Sequence, residues 1–407
     1  MKVIEKRYLL PFILVTSLFA LWGLANNMTD TLLAAFRKIM QMSDLQTSFI
    51  QMAFYGAYFC IALPAALFIR KYSYKSGVIL GLILYASGAL LFWPAAKAES
   101  YAFYLIAIYI LASGCSVLET TANPYIMSMG SPETATRRLN IAQSFNPIGS
   151  ILGILVSKYF ILQDISLYSV SGTYAGVGVV LLAIMVVMLF AHMPEGKDSS
   201  SGSSGSSGLR ATFGRLLRNK RYAWGVVAQF FYVGAQIGVW SFTIRLVMKE
   251  LGYVEAQAAT IYLISIIGFC LSRFVYTWLM KYIAPQRLLA YGAILSAVCA
   301  LLVVTTGGWV AVIALVLISV FMSLMFPTIY GIALGSVNES EHKDDTKIGA
   351  SGLIMAILGG ALLTPLQGMV SDATGSINVS YLVPMVCFLV VLAYALFASR
   401  NLNHLNP

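Results

Sequence analysis

Val310-Ala311-Val312-Ile313-Ala314-Leu315-Val316-Leu317-Ile318 is an apolar run without a charge, an amide or a turn residue. Val179–Phe190 is a second run of the same kind. A helix on the surface of a soluble domain carries a polar stripe, and a half-buried strand alternates polar with apolar. These runs do neither, so every face of such a segment must meet apolar surroundings. Composition says which surroundings. Hydrophobic residues make up 59% of the 407 and charged residues 10%, with a mean hydropathy of +0.81. Ordinary soluble domains are about 45–50% apolar and about 25% charged. Too few charges remain to cover a soluble protein of this size, and disorder is excluded by the same numbers. A membrane β-barrel would show alternating strands of about ten residues. The fold class is therefore an all-α polytopic membrane protein.

A helix needs about 20 apolar residues to cross about 30 Å of hydrocarbon. The chain divides into twelve such spans, near 8–36, 46–69, 76–96, 101–130, 137–161, 171–193, 221–249, 255–280, 286–306, 309–337, 347–370 and 377–399. Of the 26 Lys and Arg, nineteen fall on the side that holds both termini, six on the other, and Arg273 lies inside the eighth span. The positive-inside rule then places both termini in the cytoplasm of a plasma (inner) membrane protein. The formal charge of +10 is accounted for by these loops, which orient the protein and meet anionic lipid, and no nucleic-acid partner is expected. The N-terminus (Lys2, Lys6, Arg7, then an apolar run) mimics a secretory signal. The run continues to about Phe36, so it reads as an uncleaved first helix.

Cys60, Cys115, Cys270, Cys299 and Cys387 all fall in apolar runs without CxxC spacing, and read as small buried hydrophobes. His192, His342 and His404 sit at a helix end, in a loop and on the tail. No metal and no cofactor are expected. There is no GxxxxGK[ST] stretch, so any driving force should be a gradient rather than ATP.

Residues 194–220 break the pattern, beginning Pro-Glu-Gly-Lys-Asp and continuing SSSGSSGSSG from Ser199 to Gly208. Such a stretch is a flexible coil. Its regularity reads as an engineered replacement for a longer loop or as a natural low-complexity loop, and in neither case does it carry chemistry. Six spans precede it (1–193) and six follow (221–407). The halves echo each other. Lys71-Tyr72 follows span 2 and Lys281-Tyr282 follows span 8, while Asn123-Pro124-Tyr125-Ile126 in span 4 answers Phe326-Pro327-Thr328-Ile329 in span 10. Duplicated halves around a midplane site are the expectation.

The intramembrane polar residues point to function. Asp30 lies far along span 1, in Asn26-Asn27-Met28-Thr29-Asp30, and Glu119 lies inside span 4. A charge at the bilayer centre costs about 2.5 kcal/mol or more. A carboxyl held there is cheap when protonated and costly when ionised, which suits it to carry a proton. The competing reading is a structural hydrogen-bond anchor. Helical spacing arranges neutral groups as well: Glu119 and Asn123 at i, i+4; Asn140, Gln143 and Asn146 at i, i+3, i+6; and Gln229, Tyr232, Gln236 and Trp240 at steps of three, four and four. Amides donate and accept, and a Trp face packs on the C–H face of a sugar, so the set suits a ring of hydroxyls. The alternative is that these groups only hold helices together. Gly225, Gly234 and Gly238 in span 7 suit bending or close packing. Arg273 is expected to snorkel or to pair near the cytoplasmic side, and Arg245 to lie near the outer mouth.

Trp22-Gly23-Leu24-Ala25-Asn26-Asn27-Met28-Thr29-Asp30 resembles the first helix of the L-fucose permease family, proton symporters of the major facilitator superfamily. So do Leu118-Glu119-Thr120-Thr121-Ala122-Asn123-Pro124, the stretch Arg138–Asn146, Ala228–Gln236 with Trp240-Ser241, and Asp345-Thr346-Lys347. The resemblance implies a twelve-helix major facilitator fold. It implies that Asp30 and Glu119 are the two essential membrane carboxylates tied to proton movement and sugar binding. Asn27, Gln143 and Asn146 match polar positions of the central cavity, and Trp22 and Trp240 its aromatic walls. Asn123, Gln229 and Gln236 complete the candidate sugar-binding set. Two departures stand out. Ile69-Arg70-Lys71-Tyr72-Ser73-Tyr74-Lys75 lacks the usual acidic residue of the superfamily loop, and Pro147 follows Asn146 where Ser or Thr is more usual.

The expected function is a monomeric, proton-coupled monosaccharide symporter working by alternating access, with L-fucose the leading substrate and glucose, galactose or mannose next. An uncoupled facilitator is the near rival. A membrane enzyme is disfavoured because neither HExxH nor GxSxG is present, and a sugar sensor because little sequence follows the last span.

Overall fold

The computed structural model describes residues 3–41, 44–161, 166–194, 208–338 and 345–400, without the side chains of residues 26, 29–38, 44–48, 51, 158, 255 and 256. Most of the Ser/Gly linker lies outside the described residues. Those described form helices and connecting turns, with no strand among them.

Among the described residues, twelve helices are long and apolar enough to cross a membrane. We number them α1 (Leu9–Ile39), α2 (Asp44–Lys71), α3 (Tyr74–Ala98), α4 (Tyr101–Ser128), α5 (Pro132–Ile161), α6 (Leu167–Phe190), α7 (Lys220–Leu251), α8 (Glu255–Leu279), α9 (Pro285–Thr305), α10 (Gly308–Asn338), α11 (Asp345–Thr374) and α12 (Ile377–Arg400). Their starts are written locally. The side chains of Ser73, Ser100, Ser166, Asn219 and Ser376 each accept from the backbone N–H three residues on, satisfying one of the donors that a helix N-terminus leaves free. Large apolar side chains remain exposed on the outer faces, among them Phe190, Val179, Phe274 and Val310. A surface of that kind is at equilibrium only against lipid.

The chain forms two compact units. One comprises Met1–Ala135, Phe145–Ser206 and His342–Met355; the other comprises Thr136–Ser144, Ser207–Glu341 and Ala356–Pro407. Two pieces thus group away from their sequence neighbours: 136–144 from α5 and the first turns of α11.

Within each unit the same helix pairs recur, six helices apart. In the first, α1 packs on the second part of α5, α2 on α4, and α3 on both α4 and α6. In the second, α7 packs on the second part of α11, α8 on α10, and α9 on both α10 and α12. The duplication is visible down to single glycines. A Cβ on Gly149 of α5 would run into the backbone carbonyl of Ala20 on α1, and a Cβ on Gly359 of α11 would run into that of Phe230 on α7. Absence of a side chain lets the two backbones touch, the usual device where lipid removes the hydrophobic force between helices.

Five spans are broken rather than continuous. α3 consists of Tyr74–Leu90 and Phe92–Ala98, and α12 of Ile377–Ser380 and Leu382–Arg400. α5 consists of Ala135–Gln143 and Asn146–Val156, α10 of Gly308–Met322 and Met325–Asn338, and α11 of Asp345–Met355 and Gly359–Thr374. Spacing read as i, i+3, i+6 through Asn140, Gln143 and Asn146 therefore does not hold as one helical face, because the helix is interrupted between Gln143 and Asn146. By contrast α7 runs unbroken, and its glycines serve close packing, not bending: a Cβ on Gly225 would meet Ala333, and one on Gly238 the Gln367 amide.

Candidate functional site

In the first unit the decisive side chain is Glu119. It lies on α4, is 7% exposed, and accepts a hydrogen bond from the Tyr58 hydroxyl of α2 at 3.4 Å. The Ser116 hydroxyl, one turn earlier on α4, donates to the Tyr58 carbonyl at 3.3 Å. The phenol and the carboxyl are thus held by the same α2–α4 contact. Asn123, one turn on from Glu119, is fully buried. Tyr58 had no place among the candidates read from sequence. Its signal was faint: a tyrosine inside an apolar span needs a partner for its hydroxyl, but so do many others in this chain.

Asp30 is on α1, and its side chain lies outside those described. Asn27 donates from Nδ2 to the Gly23 carbonyl of its own helix at 3.3 Å. Asn146 opens the second part of α5 and donates across to the Phe19 carbonyl of α1 at 3.3 Å. The Ser150 hydroxyl reaches the Gly23 carbonyl at 3.4 Å. Trp22 is fully buried and meets Phe19 edge-on at 4.4 Å. The first unit therefore brings Trp22, Asn27 and Asn146 to the α1–α5 contact, and Glu119 and Asn123 to α4.

The second unit holds Gln143, Gln229, Gln236 and Trp240. Trp240 is half-buried, donates from Nε1 to the Ser319 hydroxyl at 3.2 Å and lies edge-on to Phe269 at 5.0 Å. Gln236, one turn before it on α7, is also half-buried. Gln229 differs: it is fully buried, and among the described residues neither atom of its amide has a hydrogen-bond partner. An unpaired buried amide costs about 1–3 kcal/mol. Gln229→Leu is therefore expected to raise the midpoint of thermal unfolding in detergent. A lowered midpoint would mean that bound water satisfies the amide.

Arg273 neither snorkels nor pairs with a carboxylate among the described residues. It is 2% exposed, lies over the Phe269 ring at 4.6 Å, and donates to two backbone carbonyls, Ser323 and Gln143, each at 2.7 Å. Of the two expectations, snorkelling and pairing, the structure shows pairing, with backbone carbonyls as the partners. Arg245 rests over the Phe242 ring at 4.4 Å.

The sequence profile of the Major Facilitator Superfamily matches residues 12–344. This chain belongs to the major facilitator superfamily. Within the superfamily it is a member of the L-fucose permease family. An L-fucose-proton symporter of Haemophilus influenzae is 41% identical, with 99% of each chain covered. The L-fucose-proton symporter of Escherichia coli is 36% identical over 98% of this chain and 95% of that one. A glucose/galactose transporter of Brucella abortus is 31% identical over 98% and 96%. The crystal structure of FucP in the outward conformation matches with a TM-score of 0.88 at 36% identity, covering 96% of this chain and 99% of the other. The proton:xylose symporter XylE shares the fold alone, with a TM-score of 0.76 at 13% identity. Membership gives the twelve helices their architecture, that of a major facilitator transporter and not of an enzyme.

Proposed function

We propose that this integral membrane protein is an L-fucose:proton symporter working by alternating access. The observation that carries the reading is Glu119: a carboxyl buried on α4 whose hydrogen-bond partner among the described residues is a phenol and not a cation, in a chain 41% identical to a symporter of L-fucose and protons. Ionisable groups inside a span are costly and mark substrate and proton pathways. Protonation of Glu119, with Asp30 taking part, would accompany sugar binding, and proton release to the cytoplasm would accompany sugar release. Asn27, Asn123, Gln143, Asn146, Gln229 and Gln236 are proposed to supply hydrogen bonds to the sugar, and Trp22 and Trp240 its apolar contacts. We place the protein in the plasma (inner) membrane as a monomer with both termini cytoplasmic. Its halves are 1–193 and 221–407, joined by the linker 194–220.

Uptake into proteoliposomes, with and without an inward proton gradient, tests this reading. L-fucose, D-galactose, D-glucose and D-mannose are compared. Gradient-accelerated entry of L-fucose supports it, whereas entry that ignores the gradient makes the protein a facilitator. A second reading, glucose or galactose as substrate, is favoured by the 31% identity to the Brucella abortus transporter, and the same sugar panel decides between them.

Tyr58 adds a prediction. Its hydroxyl favours the ionised carboxylate, the stronger acceptor of the two forms. At 3.4 Å the bond is long, so its contribution is about 1 kcal/mol. Tyr58→Phe is expected to slow gradient-driven uptake about fivefold while leaving L-fucose exchange at equal pH nearly unchanged. An equal loss in both assays would reduce Tyr58 to a packing residue.

A further inference from the structure

The two carbonyls bound by Arg273 have one feature in common. In an α-helix the carbonyl of residue i accepts from the N–H of residue i+4. Four residues after Gln143 stands Pro147, and four residues after Ser323 stands Pro327. Proline has no N–H to give. Both carbonyls are therefore orphaned by the sequence itself, one at the break in α5 and one at the break in α10. Buried backbone acceptors must find a donor elsewhere, the more so at membrane depth.

Arg273 is that donor for both. Its Nε bonds the Ser323 carbonyl and its Nη1 the Gln143 carbonyl, each at 2.7 Å. A guanidinium suits the task because its donors are fixed in one plane and its charge persists under burial. Each carbonyl lies at the C-terminal end of a helical segment, where partial negative charge gathers. Two such ends stand in for the missing carboxylate. The surroundings hold the arrangement firm. The Ser272 hydroxyl donates to that of Ser323 at 2.8 Å. Asn140, one turn before Gln143, donates to the Thr328 hydroxyl at 3.3 Å. All of these residues belong to the second unit.

We infer that Arg273 is a positioning residue for sugar binding: by gripping the carbonyls freed by Pro147 and Pro327, it sets where the Gln143 amide is presented. The inference rests on the proposal that Gln143 touches the sugar. It also gives Pro147 a role, since that proline removes the N–H that the Gln143 carbonyl would accept in a continuous helix.

The experiment measures L-fucose binding by calorimetry on the purified full-length protein. The variants are Arg273→Gln, Pro147→Ala, Gln143→Ala and the pairwise combinations with Arg273→Gln, with thermal unfolding as the check on folding. Pro147→Ala restores an N–H to the Gln143 carbonyl. Arg273→Gln is expected to weaken binding about tenfold, which is about 1.4 kcal/mol. In the Pro147→Ala background the same change should weaken it less than about threefold, and in the Gln143→Ala background it should add nothing. If Arg273→Gln does not fold, Arg273→Lys, which keeps the charge but not the fork, takes its place in both cycles. A folded Arg273 variant that binds like the parent, a loss undiminished by Pro147→Ala, or a loss additive with Gln143→Ala overturns the inference. If Gln143→Ala alone leaves binding intact, the sugar-contact reading of Gln143 falls first and the inference falls with it.

Discussion

Glu119→Gln is expected to abolish proton-driven accumulation of L-fucose, lowering gradient-driven uptake by about a hundredfold or more, while L-fucose binding changes by only a few-fold. Glutamine has the shape of the protonated carboxyl and keeps a hydrogen-bond acceptor for Tyr58, which donates to Glu119 at 3.4 Å. It holds no transferable proton. The bound state should therefore survive and the coupling should not. The size of the loss follows from the site: Glu119 is 7% exposed, and Tyr58, its partner there, is a phenol that cannot take over as a readily ionised carrier. A pH electrode outside the vesicles provides the second reading. Sugar addition should draw protons inward with the parent protein and not with the variant. Retained proton movement in Glu119→Gln would transfer the role to another carboxyl, with Asp30 the first to test. Loss of binding together with coupling would make Glu119 a sugar ligand before a proton carrier.

Gly149→Ala should destabilise the protein, although helix propensity alone predicts the opposite sign. In an exposed helix, replacing Gly by Ala stabilises by about 1 kcal/mol. At Gly149 the added Cβ would enter the backbone carbonyl of Ala20, and α1 would have to move. Backbone cannot rotate aside as a side chain can. Displacement of α1 also strains the bonds from Asn146 to the Phe19 carbonyl and from Ser150 to the Gly23 carbonyl. Overpacking costs about 1–3 kcal/mol, and the two bonds add about 1 kcal/mol each. A fall in unfolding midpoint of several degrees is expected, with loss of uptake. Gly172→Ala is the control, because a Cβ there meets nothing within 4 Å, and its midpoint should stay level or rise. Equal behaviour of the two variants would mean that α1 and α5 stand further apart than the structure places them.

Much of the architecture is legible in the sequence. Runs such as Val310–Ile318 have one physical solution, a helix in lipid, and the number of spans follows from chain length and bilayer thickness. Glu119 and Asp30 were conspicuous because ionised groups are so costly at that depth. The Asn123-Pro124 and Phe326-Pro327 echo marked the duplication later seen in the recurring helix pairs. The site was legible only as a set of residues. That Glu119 meets Tyr58, or that Arg273 meets two carbonyls, depends on which helices touch, and no local period encodes that.

Helix break and helix partner separate the two levels most clearly. Pro147 and Pro327 orphan the carbonyls of Gln143 and Ser323 by covalent chemistry, so the sequence by itself determined that two buried acceptors would need donors. It likewise determined the spans and the small residues that permit backbone contact. Only the tertiary structure decided that one guanidinium on α8 would serve both acceptors, and that residues 136–144 would group with the second unit instead of the first. Local patterns report what each residue demands, because helix geometry and transfer cost act over one or two turns. The group that meets the demand comes from elsewhere in the chain, and its position is set by the packing of all the helices together.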